Sequence, residues 1–174
     1  MPRLPYSSDG SETAARLAAR RGGSLTPLDR LLLHSPPVAD GWNSLLGAIR
    51  SRTTLSADVR ELVICRIAVL NGAAYEWNAH APLAVEAGVR GEQLAAVRLG
   101  ERGALSDVQQ AAVDYATVMT RDVAVPDEMF DGLRALFDER GLVELTATIG
   151  AYNLVSRFLV ALALEPADRE EAPR

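Results

Sequence analysis

The chain has 174 residues, enough for one domain with a buried core, and is 48% hydrophobic and 24% charged with a net charge of −5. That acidic balance, without a basic stripe interleaved with aromatics, argues against a nucleic-acid partner. The lack of a membrane-length apolar run or a signal-peptide core in "MPRLPYSSDG" leads us to expect a cytoplasmic protein with no membrane partner. A single cysteine excludes an internal disulfide and a Cys/His metal site, and all eighteen basic side chains are arginine, which excludes Schiff-base chemistry on a lysine.

Apolar positions recur at helical spacing nearly everywhere and no useful period-2 stretch occurs, so the expected fold class is all-α. "SETAARLAARRGG" reads as a short helix ended by Gly22 or Gly23. "TPLDRLLLHS" opens with Thr26 as N-cap and Pro27 at the first helical position, and Pro36 and Pro37 stop it. A third helix runs through "VADGWNSLLGAIRSR". Ser56 caps a fourth, with Asp58 complementing its dipole, and this helix reaches the turn-forming pair Asn71-Gly72. The next carries "AAYEWNAHAPLAVEA" to Gly88, kinked or shortened by Pro82. "SDVQ" at Ser106 to Gln109 is a capping box, with Val108, Ala111, Ala112, Tyr115 and Met119 as the buried stripe behind it. Pro126 opens a helix through "DEMFDGLRALFDE", and a last one spans about Leu142 to Leu164. The charged tail "EPADREEAPR", from about residue 165, is expected to fray.

"RELVICRIAVLN" and "VELTATIGAYNL" can be overlaid so that Glu61 meets Glu144, Glu76 meets Leu159 and His80 meets Ala163. Either this is an internal helical repeat whose first copy kept polar groups for a pocket, or two amphipathic helices share a binary pattern by chance.

The chemistry-bearing residues concentrate in "ELVICRIAVLNGAAYEWNAH". Glu76 and His80 are four apart, so on a helix they share a face, and a carboxylate beside an imidazole favours the imidazolium. Glu61 joins them only if the Asn71-Gly72 turn folds the preceding helix back. Cys65, one helical turn beyond Glu61, then lines the same cavity. The alternative is a solvated Glu76/His80 pair, a buried inert Cys65, and Tyr75 and Trp77 serving as packing residues. On that view Arg66 pairs with a carboxylate or reaches solvent, and His34 complements a helix end.

The segment "DVRELVICRIAVLNGAAYEWNAHAPLAVEAGV" resembles the core of the carboxymuconolactone decarboxylase family, which includes the AhpD-like alkylhydroperoxidases. "MPRLPY", "LLLHSPPVADGWNSLLGAIR" and "LSDVQQAAVDYATVMTRD…VELTATIGAYNLVSRFLVALALE" extend the resemblance over nearly the whole chain, read as a single domain of residues 1–174. The resemblance implies an AhpD-like multi-helix orthogonal bundle, a homo-oligomer (trimer or hexamer), and neither metal nor organic cofactor. AhpD-type members combine a relay Glu with Cys-x-x-Cys-x-x-x-His. Glu61 matches the relay glutamate and His80 the relay histidine, but the two cysteine positions fall on Ala73 and Glu76.

A dithiol peroxidase cycle needs an attacking and a resolving thiol, so this chain cannot run one intramolecularly. The expected function is therefore carboxymuconolactone decarboxylase-like: cofactor-free acid/base chemistry on a small enolisable carboxylate or lactone. His80, Glu61 and Glu76 are the expected catalytic residues, and Cys65, Tyr75, Trp77 and Arg66 the expected substrate pocket. Arg66 or Arg157 is a candidate to hold a substrate carboxylate, whereas Asn153 and Arg157 could instead serve an interface. Two other readings compete: an AhpD-like peroxidase using Cys65 with an external thiol, and a non-catalytic oligomeric binder of small molecules.

Overall fold

The protein is described by a computed structural model covering residues 2–8 and 10–167, so most of the tail expected to fray lies outside the described residues. Nine helices and no strand occur among the described residues: α1 (Glu12–Arg20), α2 (Pro27–Leu32), α3 (Pro36–Ser51), α4 (Ala57–Leu70), α5 (Ala74–Glu86), α6 (Gly91–Leu99), α7 (Asp107–Arg121), α8 (Asp127–Arg134) and α9 (Glu139–Ala161). None is long and apolar enough to cross a membrane.

The architecture is organised around α4, which packs against α5, α6, α7 and α9. Every residue from Glu61 to Ala68 is buried, which explains why this helix is apolar almost all round rather than on one stripe. The larger core joins Leu46 and Ile49 of α3, Val63 and Ile67 of α4, and Leu145, Tyr152 and Leu159 of α9. A smaller one gathers Leu62, Cys65, Ala84, Val97 and Val113 between α4, α5, α6 and α7.

Local signals act largely as their chemistry dictates. Thr26 and Asp29 form a reciprocal capping box on α2, and Ser106 and Gln109 form one on α7. Gly22 and Gly23 take φ of +79° and +109° in the turn that ends α1. Pro36 and Pro37 do more than stop α2. They occupy the first turn of α3, where the missing N–H is not needed. Ser56 stands at the N-cap of α4 but makes no side-chain cap bond. Near the C-terminus α8 stops at Arg134, and α9 begins earlier than expected because Asp138 accepts a hydrogen bond from the Gly141 N–H at 2.7 Å. The helix the sequence reading passed over is α6, which Gly100 closes at φ +77°.

Along the α4/α9 echo the two halves diverge at the backbone. The first turns at Asn71-Gly72, whereas α9 runs on as one 23-residue helix, with Leu159 buried in the core. Asn153 on α9 anchors that turn. Its amide donates to Thr120 Oγ1 at 2.9 Å and to the Ile149 carbonyl at 3.0 Å, and its oxygen accepts from Asn71 Nδ2 at 3.0 Å. It is therefore an internal tie and not the interface residue considered from the sequence, while Arg157 on the same helix is exposed. Replacing Asn153 by Ala strands buried partners and should destabilise the fold by about 2 kcal/mol, read as a lower urea midpoint at fixed protein concentration. An unchanged midpoint would show that the tie carries no weight.

Candidate functional site

Glu61 projects from the buried centre of α4. After Gly72, in the left-handed region at φ +66°, α5 folds back along α4 and carries Glu76 and His80 to meet it. His80 lies between the two carboxylates. Its Nδ1 is 2.6 Å from Glu61 Oε2, and its Nε2 is 3.1 Å from Glu76 Oε1. The first contact is an aligned hydrogen bond. The second has ion-pair distance but not hydrogen-bond alignment, leaving Glu76 Oε1 buried without a hydrogen-bond partner. All three side chains are buried, at 4%, 2% and 3% exposure for Glu61, Glu76 and His80.

The surroundings stabilise charge in this triad. Arg60 Nε donates to Glu61 Oε1 at 3.2 Å. Tyr152 of α9 stands edge-on to the imidazole, with centroids 5.1 Å apart, and its hydroxyl accepts from Arg50 Nε of α3 at 2.9 Å. Burial opposes a charged imidazole, yet the hydrogen bond to Glu61 and the close negative charges of Glu61 and Glu76 outweigh it and raise the His80 pKa above its ordinary 6.5. Burial likewise opposes the Glu61 carboxylate, but His80 and then Arg60 hold it below its ordinary 4.5. Burial pushes the Tyr152 hydroxyl up to about 12, so it stays protonated.

Two clefts share the histidine. One, of about 130 Å³, is lined by Arg21, Thr26, Arg50, Tyr75, Glu76 and His80, among others. The other, of about 380 Å³, is lined by Arg50, Arg60, Glu61, His80, Leu83 and Glu86, among others. A larger apolar hollow against Phe130, Phe137 and Leu142 lies away from the triad and brings no acid/base group together with it. Among the described residues no group of His, Cys, Asp and Glu is arranged to hold a metal ion, and the triad's donor atoms face one another.

Of the other residues expected at the site, Tyr75 alone lines a cleft. Cys65 points into the smaller core, fully buried, with its thiol pushed up to about 12 by burial and by the charges of Glu61 and Glu76. It lines neither cleft: one helical turn keeps it on the same side of α4 as Glu61, but Leu62, Ala84, Val97 and Val113 pack over it and seal it off. Trp77 packs against the same core, with Arg98 over its ring at 5.4 Å. Arg66 is neither paired with a carboxylate nor at a cleft. It donates to the Val97 carbonyl at 2.8 Å and to Thr117 Oγ1 at 3.0 Å, completing the C-terminus of α6 beside Gly100. His34 Nε2 lies 2.7 Å from the Pro5 carbonyl and takes no part. Arg50, Arg60, Arg21 and Tyr152 were missed. Arg60 had a signal in its place beside Glu61, but nothing in the chain links Arg50 to Tyr152 102 residues later.

Comparison with known proteins bears on the fold and on one segment of the chain. The model of the carboxymuconolactone decarboxylase family matches residues 36–117, the stretch that contains α4, α5, Arg50 and the whole triad. Over these residues the chain is similar to the carboxymuconolactone decarboxylase family. No curated protein matches the chain by sequence. Among solved structures, a peroxidase-related protein from Silicibacter sp. superposes with a TM-score of 0.81 at 16% identity, covering 99% of this chain and 96% of its own. An AhpD-core peroxidase-related protein from Ralstonia eutropha does so at 0.80 and 18% identity, covering 95% of this chain and 92% of its own. A cysteine-to-alanine variant of the debrominase Bmp8, in complex with 2,3,4-tribromopyrrole, does so at 0.77 and 18%, covering 96% of this chain and 94% of its own. At these identities the likeness concerns the fold, which is AhpD-like.

The pKa directions set a pH window. His80 contributes stability fully below 6.5, and this is lost as pH rises through its raised folded pKa; Glu61 contributes above 4.5, and this is lost as pH falls through its depressed folded pKa. Glu61→Gln should therefore cost about 2 kcal/mol or more between those values, and less outside the folded pKa limits. Imidazole ¹⁵N signals should show wild-type His80 titrating above 6.5 and the variant titrating lower. A His80 midpoint unmoved by the substitution would sink the coupling.

Proposed function

We propose that the chain is a cofactor-free acid/base enzyme acting on a small enolisable carboxylate or lactone, in decarboxylation, isomerisation or ring chemistry. The observation that carries this reading is His80 held between two buried carboxylates at the wall of two clefts. Its context supports it: the redox positions implied by the family resemblance hold Ala73 and Glu76, and the one thiol is sealed away.

Glu76 is the group facing substrate, His80 the proton store and Glu61 its fixed counter-charge. In proton abstraction Glu76 takes a proton from the carbon beside a carbonyl. The C–H electron pair moves into that carbonyl as an enolate, and the proton returns at the same or a conjugated carbon. In decarboxylation the bond to the departing carboxylate breaks, its electron pair forms the enolate, and carbon dioxide leaves. Protonated His80 then passes its Nε2 proton through Glu76 to the carbanion, Glu61 keeps the neutral ring as the Nδ1–H tautomer, and solvent restores the proton. We place this activity in a cytoplasmic homo-oligomer, trimer or hexamer. Exposed Val38 and Leu45 on α3, and Leu154 and Val160 on α9, support a surface that further copies cover.

A screen of small carboxylates and lactones, read by carbon dioxide release and solvent deuterium incorporation, tests the proposal. On a substrate so found, His80→Ala should lower turnover about 100-fold or more and Glu76→Gln comparably, whereas Cys65→Ser should leave it unchanged. Unaltered turnover in His80→Ala would refute the mechanism. Thiol-dependent peroxide consumption that vanishes in Cys65→Ser would favour the peroxidase reading instead.

A further inference from the structure

The wall of the smaller cleft opposite Glu76 comes from the N-terminal helices, outside the family segment of residues 36–117. Arg21, at the C-cap of α1, is tied to α2 by a two-pronged pair with Asp29, Nε to Oδ2 at 3.1 Å and Nη2 to Oδ1 at 3.1 Å. Arg50 gives its Nε to Tyr152, and among the described residues no hydrogen bond takes its two terminal nitrogens, which leaves that end of the fork free at the cleft. Arg20 lies close enough to Arg21, Arg50 and Asp29 to feel their charges, and its Nε and Nη2 are buried without a hydrogen-bond partner among the described residues. Burial and its two arginine neighbours lower the Arg20 pKa, the mark of a cation held at a cost.

Arg21 and Arg50 line this cleft with Glu76 and a protonated His80, and Arg20 stands behind them, so four cations face Asp29, Glu61 and Glu76. Unpaired guanidinium groups are poor stabilisers of a fold, and a planar two-oxygen anion is what their geometry matches. The size of the cleft, near that of cavities that hold a benzene ring, limits the occupant to roughly six to eight non-hydrogen atoms.

We propose that this cleft is a carboxylate-binding site, with the free end of Arg50 as anchor and Arg20 and Arg21 of α1 supplying the surrounding positive charge, so that the substrate is a small carboxylate rather than a neutral lactone. The inference rests on the acid/base reading for what happens next to the bound anion, but not for the binding itself. Tyr152 is a positioning residue that fixes Arg50 through its Nε. The arginines considered from the sequence, Arg66 and Arg157, have no part in it: the first closes α6 and the second is exposed on α9.

The test titrates the full-length protein in D₂O with pyruvate and, separately, with its neutral counterpart pyruvamide, up to tens of millimolar, following the His80 imidazole signals. Pyruvate should bind at least about tenfold more tightly than pyruvamide, and Arg50→Gln should remove most of that preference while leaving pyruvamide binding within about twofold. Arg20→Gln guards against a variant that fails to fold. It should weaken pyruvate about threefold while leaving the thermal midpoint of the free protein unchanged or raised, because it removes a cation whose Nε and Nη2 are buried without a hydrogen bond among the described residues. Equal affinity for the two probes, or wild-type pyruvate binding in both variants, overturns the proposal. Deuterium exchange into the pyruvate methyl group separates the two readings. Selective binding without exchange keeps the carboxylate site and defeats the acid/base function, and exchange without carboxylate preference does the opposite.

Discussion

The 2.6 Å bond between His80 and Glu61 is the interaction on which the site and much of the surrounding packing depend. An imidazolium and a carboxylate withdrawn this far from water are tolerated only when each finds its partner at good geometry, because desolvation alone would neutralise both. That requirement reaches outward. α5 must fold back along α4 at one angle, so the chain turns at Asn71-Gly72 and pins the turn to α9 through Asn153. Arg60 must attend the second oxygen of Glu61, and Tyr152 must close the histidine's flank while holding Arg50 in place. α4 therefore has no free face, and the same burial that makes it the centre of the fold makes its two ionisable site neighbours interdependent.

The scaffold is one on which quite different proteins are built, peroxidase-related proteins and a debrominase among those of like fold. Chemistry on a shared scaffold is set by the side chains at the site. Here they comprise a carboxylate at the position nearest the cleft, an alanine one helical turn before it, and a thiol locked in the hydrophobic core where the thiolate is strongly disfavoured. Among the described residues no thiol reaches the triad, so an intramolecular disulfide cannot form there, and what remains at the clefts is an imidazole between two carboxylates.

Charge is distributed unevenly between the parts of the site. The segment matched by the family model supplies the triad and Arg50, whereas the N-terminal helices contribute Arg21, Thr26 and Leu28 to the wall of one cleft. Asp29 is almost wholly buried and serves both as the capping partner of Thr26 and as the counter-ion of Arg21, so the first two helices are locked by the same carboxylate that orients the arginine at the cleft. One short turn thus ties the first two helices to the wall of the cleft.

Much of this was legible in the residues themselves. Helical periodicity, the Thr26 and Ser106 capping boxes and the Asn71-Gly72 turn are local signals, read correctly because their causes lie within a few residues. The pairing of Glu76 with His80 follows from a spacing of four, and the register of Glu61 from the family resemblance. Short and weakly patterned α6 was not legible, because its ends depend on Gly100 and on an arginine from another helix. Neither was the fate of Cys65 and Arg66: on a helix that is apolar all round, periodicity cannot say which side meets a cavity. The convergence of Arg21, Arg50 and Tyr152 on the triad joins three helices far apart in sequence. The sequence by itself determined the all-helical class, most of the helices, the Asn71-Gly72 turn and the spacing that sets Glu76 beside His80, since each is a local property. Tertiary structure alone decided which arginines face the clefts and which thiol is sealed, because that depends on how α1, α3 and α9 pack around α4.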